Sequence, residues 1–149
     1  SFTSDGDHLT SPSGDGALRC MKLALEGANL QCSDIDMISA HATATPIGDS
    51  REATAINQLF GANGPPVAAT KAMTGHECWM AGASESIYSL LMMRDGFVAP
   101  TLNFSAFDDA TPPINLCTEA QSGEIKTVLS NSFGFGGTNA CLILRKFEQ

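Results

Sequence analysis

Short apolar segments alternate with helical patterns along this 149-residue chain, and this alternation is the strongest constraint on its fold. Residues 37–40 and 67–70 are compact apolar runs typical of fully buried strands. Two more strands are predicted at 126–130 and 139–146. With helical patterns between them, the order is helix, strand, helix, strand, helix, strand, strand. This order predicts an α/β fold whose sheet is covered by helices on both faces.

Three helices are predicted, and each has a capping residue before it and a glycine after it. The pairs are Ser13 with Gly27, Asp49 with Gly61, and Thr74 with Gly96. Glu52 and Glu77 lie three residues beyond the second and third caps, the spacing of a capping box. Residues 100–113 are predicted to be irregular, and the glycine-rich stretch 132–138 is predicted to be a loop.

Composition excludes several classes of function. The chain has 16 acidic and 8 basic residues and a net charge of −8, which argues against binding nucleic acid. We see no apolar run long enough to span a membrane and no secretory signal at the N-terminus. Five cysteines without metal-ligand spacing indicate reduced thiols in the cytoplasm and no zinc site. The length suits one domain, and the N-terminus resembles the middle of one.

Residues with chemical potential follow the predicted strands, where open α/β sheets hold their sites. His41 and Lys71 end two strands, and His76 falls in the first turn of the predicted third helix. Taken singly, each is more often structural. Together, the helix terminus and Lys71 disfavour a charged His76, so two neutral imidazoles could hold the oxygen of an enolate. Backbone N–H groups of the loop 134–137 suit an oxyanion hole, and carbon–carbon bond formation through a thioester enolate would fit.

Three motifs carry a resemblance to a known family. Residues 41–49, His-Ala-Thr-Ala-Thr-Pro-Ile-Gly-Asp, resemble the His-Gly-Thr-x-Thr-Pro-x-Gly-Asp motif of β-ketoacyl-acyl-carrier-protein synthases. Residues 70–76 resemble that family's Thr-Lys-x-x-x-Gly-His motif, and residues 131–139 resemble its Asn-Ser-Phe-Gly-Phe-Gly-Gly-x-Asn motif. The motifs occur in the family's order, and the resemblance covers nearly the whole chain.

The resemblance implies a fold, an activity and partners. The fold would be thiolase-like, with residues 1–149 forming the C-terminal half and the cysteine-bearing N-terminal half absent. The activity would be that of a 3-oxoacyl-[acyl-carrier-protein] synthase in fatty-acid biosynthesis: decarboxylative Claisen condensation of malonyl thioester with an acyl-enzyme. Acyl carrier protein would deliver both substrates on phosphopantetheine, and the full-length enzyme would be a homodimer. No resident cofactor is implied, apart from a monovalent cation near Glu85, Ser130 and Asn131 in some members.

The resemblance also implies roles for individual residues. His41 and His76 would be the histidines of a Cys-His-His triad, and Lys71 would be the active-site lysine. Phe135 would donate its backbone N–H to the oxyanion hole while its ring gates the acyl pocket. The remaining implied positions are Thr43 and Thr45 for the phosphopantetheine arm, Gly134 and Gly136 for the substrate, and Asp49, Glu52 and Glu85 as possible partners of Lys71.

Some alternatives stay open at this point. A non-catalytic partner resembling a chain-length factor is the second hypothesis, although the intact histidines and lysine argue against it. A thiolase is the third, although no cysteine here lies in a suitable glycine loop. Cys78 could be a nucleophile but is more simply interpreted as a core residue. Trp79 and Met80 are bulkier than the family's usual residues and leave acyl-length preference open, and Ala42 and Ala44 stand where the family often has glycine.

Overall fold

A mixed five-stranded sheet forms the centre of the protein in this computed structural model, which describes residues 1–5 and 9–147. The strand order is β1-β7-β6-β2-β3. The strands are β1 Phe2–Ser4, β2 Met37–Ser39, β3 Val67–Ala68, β6 Thr127–Gly134 and β7 Thr138–Arg145, and β4 Phe97–Val98 with β5 Gln121–Ser122 forms a separate pair. β2 is parallel to both β3 and β6, whereas β7 is antiparallel to β6 and β1.

Helices cover both faces of this sheet, as the sequence pattern predicted. The helices are α1 Asp15–Ala28, α2 Pro46–Phe60, the short α3 Lys71–Thr74, and α4 Ala81–Asp95. On one face, α1 and α2 pack on a core that includes Met21, Ile56 and Leu129. On the other face, α4 contributes Met92 and Met93 to a second core. Alternate side chains of β6 enter the two cores in turn, as the pleat of a strand requires. None of the described helices combines the length and apolarity needed to cross a bilayer.

The predicted end of the first helix was wrong by two residues. Gly27 lies inside α1, and Asn29 ends the helix in the left-handed conformation with φ 54°. Gly14, not Ser13, occupies the N-cap position, while Ser13 Oγ accepts the N–H of Asp15 at 3.1 Å. Asparagine tolerates left-handed φ because its short polar side chain can interact locally, so it replaces glycine as the terminator.

Both predicted capping boxes were wrong as well. α2 begins at Pro46 with Thr45 at its N-cap, so Asp49 lies within its first turn and Glu52 lies on its buried face. Proline favours the first helical position because its fixed φ suits the helix and its missing N–H is not needed there. The predicted third helix is interrupted: α3 ends at Thr74, a 3-10 turn spans Cys78–Met80, and α4 starts only at Ala81.

Strand β6 is longer than predicted, and β7 has the predicted length but begins one residue earlier. β6 and β7 extend into the expected glycine loop and leave only residues 135–137 as the turn. Strand β1 and the β4–β5 pair were not predicted, because they are two or three residues long and depend on partners far along the chain. Residues 100–113 form no helix or strand, which confirms that prediction.

Candidate active site

His41 and His76 lie next to each other, with ring centroids 5.6 Å apart and an interplanar angle of 86°. His41 follows β2, and His76 follows α3, which begins just after β3. Because β2 and β3 are parallel neighbours, their carboxyl ends meet at one edge of the sheet. The pairing of these two short strands therefore brings His41 and His76 together, although they are 35 positions apart in the sequence.

A hydrogen-bond donor occupies one nitrogen of each imidazole. Lys71 Nζ lies 3.4 Å from Nδ1 of His41, and the backbone N–H of Cys78 donates to Nδ1 of His76 at 3.1 Å. An ammonium group and a backbone N–H can only donate, so both Nδ1 atoms act as acceptors. In each neutral ring the proton is then on Nε2, which leaves two N–H donors for a ligand.

Lys71 is paired with Glu85, which identifies its partner among the three acidic candidates. The Lys71 ammonium donates to the Glu85 carboxylate, and neither side chain is more than 5% exposed. Burial raises the pKa of Glu85, while the bond from Lys71 opposes that shift. α4 supplies the acid, so this ion pair ties the site to the helix on the far face of the sheet.

His41 is held in its uncharged form. Burial, together with the positive charge of Lys71 and the neighbouring His76, lowers its pKa to about 3. We expected an uncharged His76 because it was predicted to lie in the first turn of a long helix. That predicted location was wrong. His76 lies in the irregular connection between α3 and α4, where the Cys78 amide determines its tautomer.

Glu52 has a role that sequence reasoning missed. One carboxylate oxygen accepts the N–H of His41 at 2.9 Å, and the other accepts the N–H of Ala42 at 2.8 Å. The Asn131 side-chain amide adds a third donor at 3.1 Å. Glu52 is buried, and burial raises its pKa while these donors oppose the shift. Glu52 therefore fixes the backbone of His41. The one sequence signal of its burial is that it directly precedes Ala53, which is buried in the core.

A cleft of about 620 Å³ opens beside these residues. Lys71 and His76 line it together with Thr43 and Thr45, whose hydroxyl oxygens are 3.1 Å apart. Asp49 also lines the cleft, and burial raises its pKa. Residues 101–104 and 106–108 contribute to the lining as well. A cleft of this size, lined by both apolar and hydrogen-bonding side chains, can hold a slender ligand with an amide-bearing arm.

The glycine-rich stretch forms a tight turn between β6 and β7. Phe135 lies at the tip of the turn and is 81% exposed, whereas the ring of Phe133 lies 5.9 Å from that of His41. The Gly136 N–H donates to the Leu9 carbonyl at 2.8 Å, so that amide is engaged within the protein. Gly134 is the last residue of β6 and is paired with Thr138.

One further expectation was wrong. Cys78 is exposed rather than part of the core, and Trp79 beside it is fully exposed. Of the side chains suggested for a monovalent cation, the Asn131 amide lies 3.5 Å from Met21 Sδ, and Glu85 belongs to α4 and is bonded by Lys71. Among the described residues, no group of three or more His, Cys, Asp or Glu side chains could hold a metal ion.

Comparison with known families gives a consistent result. The model of the β-ketoacyl synthase C-terminal domain matches residues 1–105. Among curated relatives, 3-oxoacyl-[acyl-carrier-protein] synthase 1 of Escherichia coli K12 is 49% identical over 147 residues, covering 99% of this chain and 36% of the relative. The Haemophilus influenzae synthase 1 is 47% identical, covering 98% and 36%. The chain therefore spans about a third of the length of these relatives.

Solved structures match over almost the whole chain. A β-ketoacyl synthase from Burkholderia phymatum has a TM-score of 0.91 and 37% identity, covering 99% of this chain and 36% of that one. The ishigamide ketosynthase/chain length factor has a TM-score of 0.93 and 35% identity, with 99% and 36% covered. A type II PKS acyl-carrier protein in complex with its ketosynthase matches with a TM-score of 0.88 and 30% identity, with 98% and 37% covered. These matches confirm the predicted thiolase-like fold.

Proposed function

The chain belongs to the β-ketoacyl synthase family as its C-terminal domain, and we propose that it supplies the two histidines and the lysine of a 3-oxoacyl-[acyl-carrier-protein] synthase. The observation that carries the proposal is the contact between His41 and His76, each with Nδ1 occupied by a donor. Two neighbouring imidazoles that can each offer an Nε2–H, with His76 lining the cleft, suit a substrate oxygen that becomes negatively charged during the reaction.

The proposed reaction is a decarboxylative condensation. The bond between the α-carbon and the carboxylate of a malonyl thioester breaks, CO₂ leaves, and the electron pair forms an enolate. His41 and His76 donate hydrogen bonds to the enolate oxygen, and the enolate carbon then attacks the thioester carbonyl of an acyl-enzyme. The enzyme thiolate leaves, and the product is a 3-oxoacyl thioester. Neutral imidazoles are required because a carboxylate bound next to an imidazolium would be stabilised before it reacts.

Lys71 acts through His41 in this proposal. Its ammonium keeps the His41 Nδ1 atom in the acceptor state, and it disfavours a second positive charge on the ring. Glu85 neutralises the lysine and fixes its position. Glu52 accepts the backbone N–H of His41 and is itself bonded by the buried Asn131 amide.

The cleft would receive the phosphopantetheine arm of an acyl carrier protein. Thr43 and Thr45 line it with adjacent hydroxyls, where amides of the arm could bind. We propose the same class of partner for this chain because a related ketosynthase forms a complex with its acyl-carrier protein. Phe135 would donate its backbone N–H to the acyl thioester, with Gly134 and Gly136 shaping the turn.

The nucleophilic cysteine would come from outside these residues. Cys20, Cys117 and Cys141 are fully buried, and Cys32 donates to the carbonyl of Leu59. Cys78 is exposed, but its surroundings do not resemble the family's nucleophile motif. The chain alone would therefore be inactive, and the active unit would be a cytoplasmic homodimer of the longer synthase. No resident cofactor enters this mechanism, and no step depends on a cation. A chain-length-factor-like partner remains the alternative, since one structural neighbour includes such a subunit.

A chimera tests the proposal. The 149 residues would replace the matching 147-residue stretch of the Escherichia coli synthase 1, which keeps its own cysteine-bearing part. We expect the chimera to decarboxylate malonyl-acyl-carrier protein and to form 3-oxoacyl product, and H41A or H76A to lower the decarboxylation rate about 10²-fold or more. A folded chimera that releases no CO₂ would contradict the synthase and support the non-catalytic alternative.

A further inference from the structure

The carboxylate of Glu77, the residue directly after His76, is held by the helix that follows it. The Tyr88 hydroxyl donates to Glu77 Oε1 at 2.9 Å. Ser84 lies four residues before Tyr88 and therefore on the same side of α4. Hydrogen bonds from Ser84 and Tyr88 lower the pKa of Glu77, so the carboxylate is a charged acceptor at neutral pH.

Tyr88 is a firm anchor for this contact. Its ring packs against the core between α4 and the sheet, the cluster that contains Met92 and Val128. Only the hydroxyl end reaches beyond the core to Glu77. A tyrosine ring fixed by packing has little freedom left to lose when its hydroxyl forms a hydrogen bond.

The segment that carries His76 has little regular structure of its own. Gly75 has φ 77° and Cys78 has φ 54°, so two residues of this connection are in the left-handed region. His76 itself is exposed, and the donor to its Nδ1 is the amide of Cys78. The residue between this donor and this acceptor is Glu77. Whatever fixes Glu77 therefore fixes the hydrogen bond that sets the His76 tautomer.

We propose that Glu77 and Tyr88 are positioning residues for His76: their hydrogen bond holds the connection between α3 and α4 so that the Cys78 amide meets Nδ1 and the Nε2–H is presented to the cleft. This inference rests on the proposed function for the importance of His76. It also gives a role to a carboxylate next to a histidine that must stay uncharged, since the Tyr88 hydroxyl of α4 binds that carboxylate.

The ¹⁵N spectrum of the imidazoles tests this inference on the 149-residue chain. The chain contains three histidines, so labelling histidine alone gives three assignable rings. In the parent protein, His76 should show the Nε2–H tautomer. Y88F keeps the ring in the core and removes the donor, and E77A removes the acceptor; both should shift His76 to a mixture of tautomers. E77Q keeps an oxygen acceptor for Tyr88 and should restore the parent spectrum of His76.

S86A is the matched control, because the Ser86 hydroxyl lies on the same helix but donates to the carbonyl of Gly82 within α4. It should leave the His76 spectrum unchanged. Unfolding curves show whether each variant is folded. The inference is overturned if His76 keeps the Nε2–H tautomer in both Y88F and E77A, or if S86A disturbs it equally. Because this readout does not involve turnover, it is independent of whether the chimera condenses anything.

Discussion

The ammonium group of Lys71 lies 3.4 Å from Nδ1 of His41. Its charge is balanced by Glu85, which comes from α4 on the other face of the sheet. An ion pair that is almost completely buried has lost most of its hydration, so its two members depend on each other. The site is thus built on a charge pair whose removal affects both the fold and the histidine.

Replacing Lys71 alone should therefore destabilise the protein strongly. K71M leaves the Glu85 carboxylate buried without its partner, and we expect a loss of about 3–5 kcal/mol in the free energy of unfolding. The double variant K71M/E85L removes both charges and should recover most of that loss. Urea denaturation measures both. A single variant as stable as the parent would show that Glu85 finds another donor.

The low pKa of His41 should make stability depend on pH. The unfolded chain binds a proton on this residue below about pH 6.5, whereas the folded protein does so only near its pKa of about 3. Stability contributed by neutral His41 is complete above pH 6.5 and is lost as the pH falls towards 3, by up to about 1.4 kcal/mol per pH unit. The free energy of unfolding is measured against pH for the parent and for H41Q. The difference between the two curves gives the contribution of His41 without that of the acidic groups. Equal slopes in both proteins would contradict a buried neutral ring.

Removing the Glu52 carboxylate should disrupt the backbone around His41. E52A leaves the N–H groups of His41 and Ala42 and the Asn131 amide without their acceptor. At about 1–3 kcal/mol for each unsatisfied buried group, we expect at least 3 kcal/mol of destabilisation. R51A, at the exposed neighbouring position, should change the free energy of unfolding by less than about 0.5 kcal/mol. Similar stability of the two variants would argue against this role of Glu52.

Ala44 should accept glycine with a gain in stability. Its φ is 61°, in the left-handed region where a Cβ atom costs about 1–2 kcal/mol. Glycine has more conformational entropy in the unfolded chain, which offsets part of the relieved strain. A44G should therefore raise the free energy of unfolding by about 0.5 kcal/mol. The matched control is A83G on the exposed side of α4, which should lower it by about 1 kcal/mol. A thermal shift of the same sign in both variants would contradict the assignment of strain.

The outer face of α4 should drive self-association of the isolated chain. Ile87 and Leu90 are both more than half exposed, and exposed apolar patches of this kind mark interfaces. Gel filtration should give an elution volume smaller than that of a monomer, and I87K/L90K should restore the monomeric volume. L23K, at an exposed leucine of α1, should not. A parent protein that elutes as a monomer at all concentrations would disprove this prediction.

Much of the architecture could be predicted from the sequence because it follows from local patterns. The apolar runs that became β2 and β3 and the stripe of α1 are periodic, and periodicity reports which face of an element is buried. The positions of His41 and Lys71 just beyond these strands were enough to predict a common edge. Element ends were less predictable. The first helix ends at Asn29 rather than at Gly27, and the second begins at Pro46 rather than after Asp49.

The errors at the site have a shared physical cause. Glu52 and Glu77 both match the spacing of a capping box, but each carboxylate binds a group that is distant in sequence or on another element. A local pattern cannot register such competition, because the tertiary acceptor is chosen by the folded surroundings. The partner of Lys71 could not be predicted for the same reason. The sequence offered three acidic candidates, and only the packing of α4 on the sheet selects Glu85.

Trp79 is the only tryptophan of the chain, and its side chain is fully exposed three residues after His76. Indole emission depends on the polarity around the ring, so this residue is an intrinsic fluorescent reporter of the surface beside the cleft. Red-shifted emission would mark a water-covered surface. A blue shift on adding another polypeptide would reveal coverage of this surface without any dye, label or turnover assay.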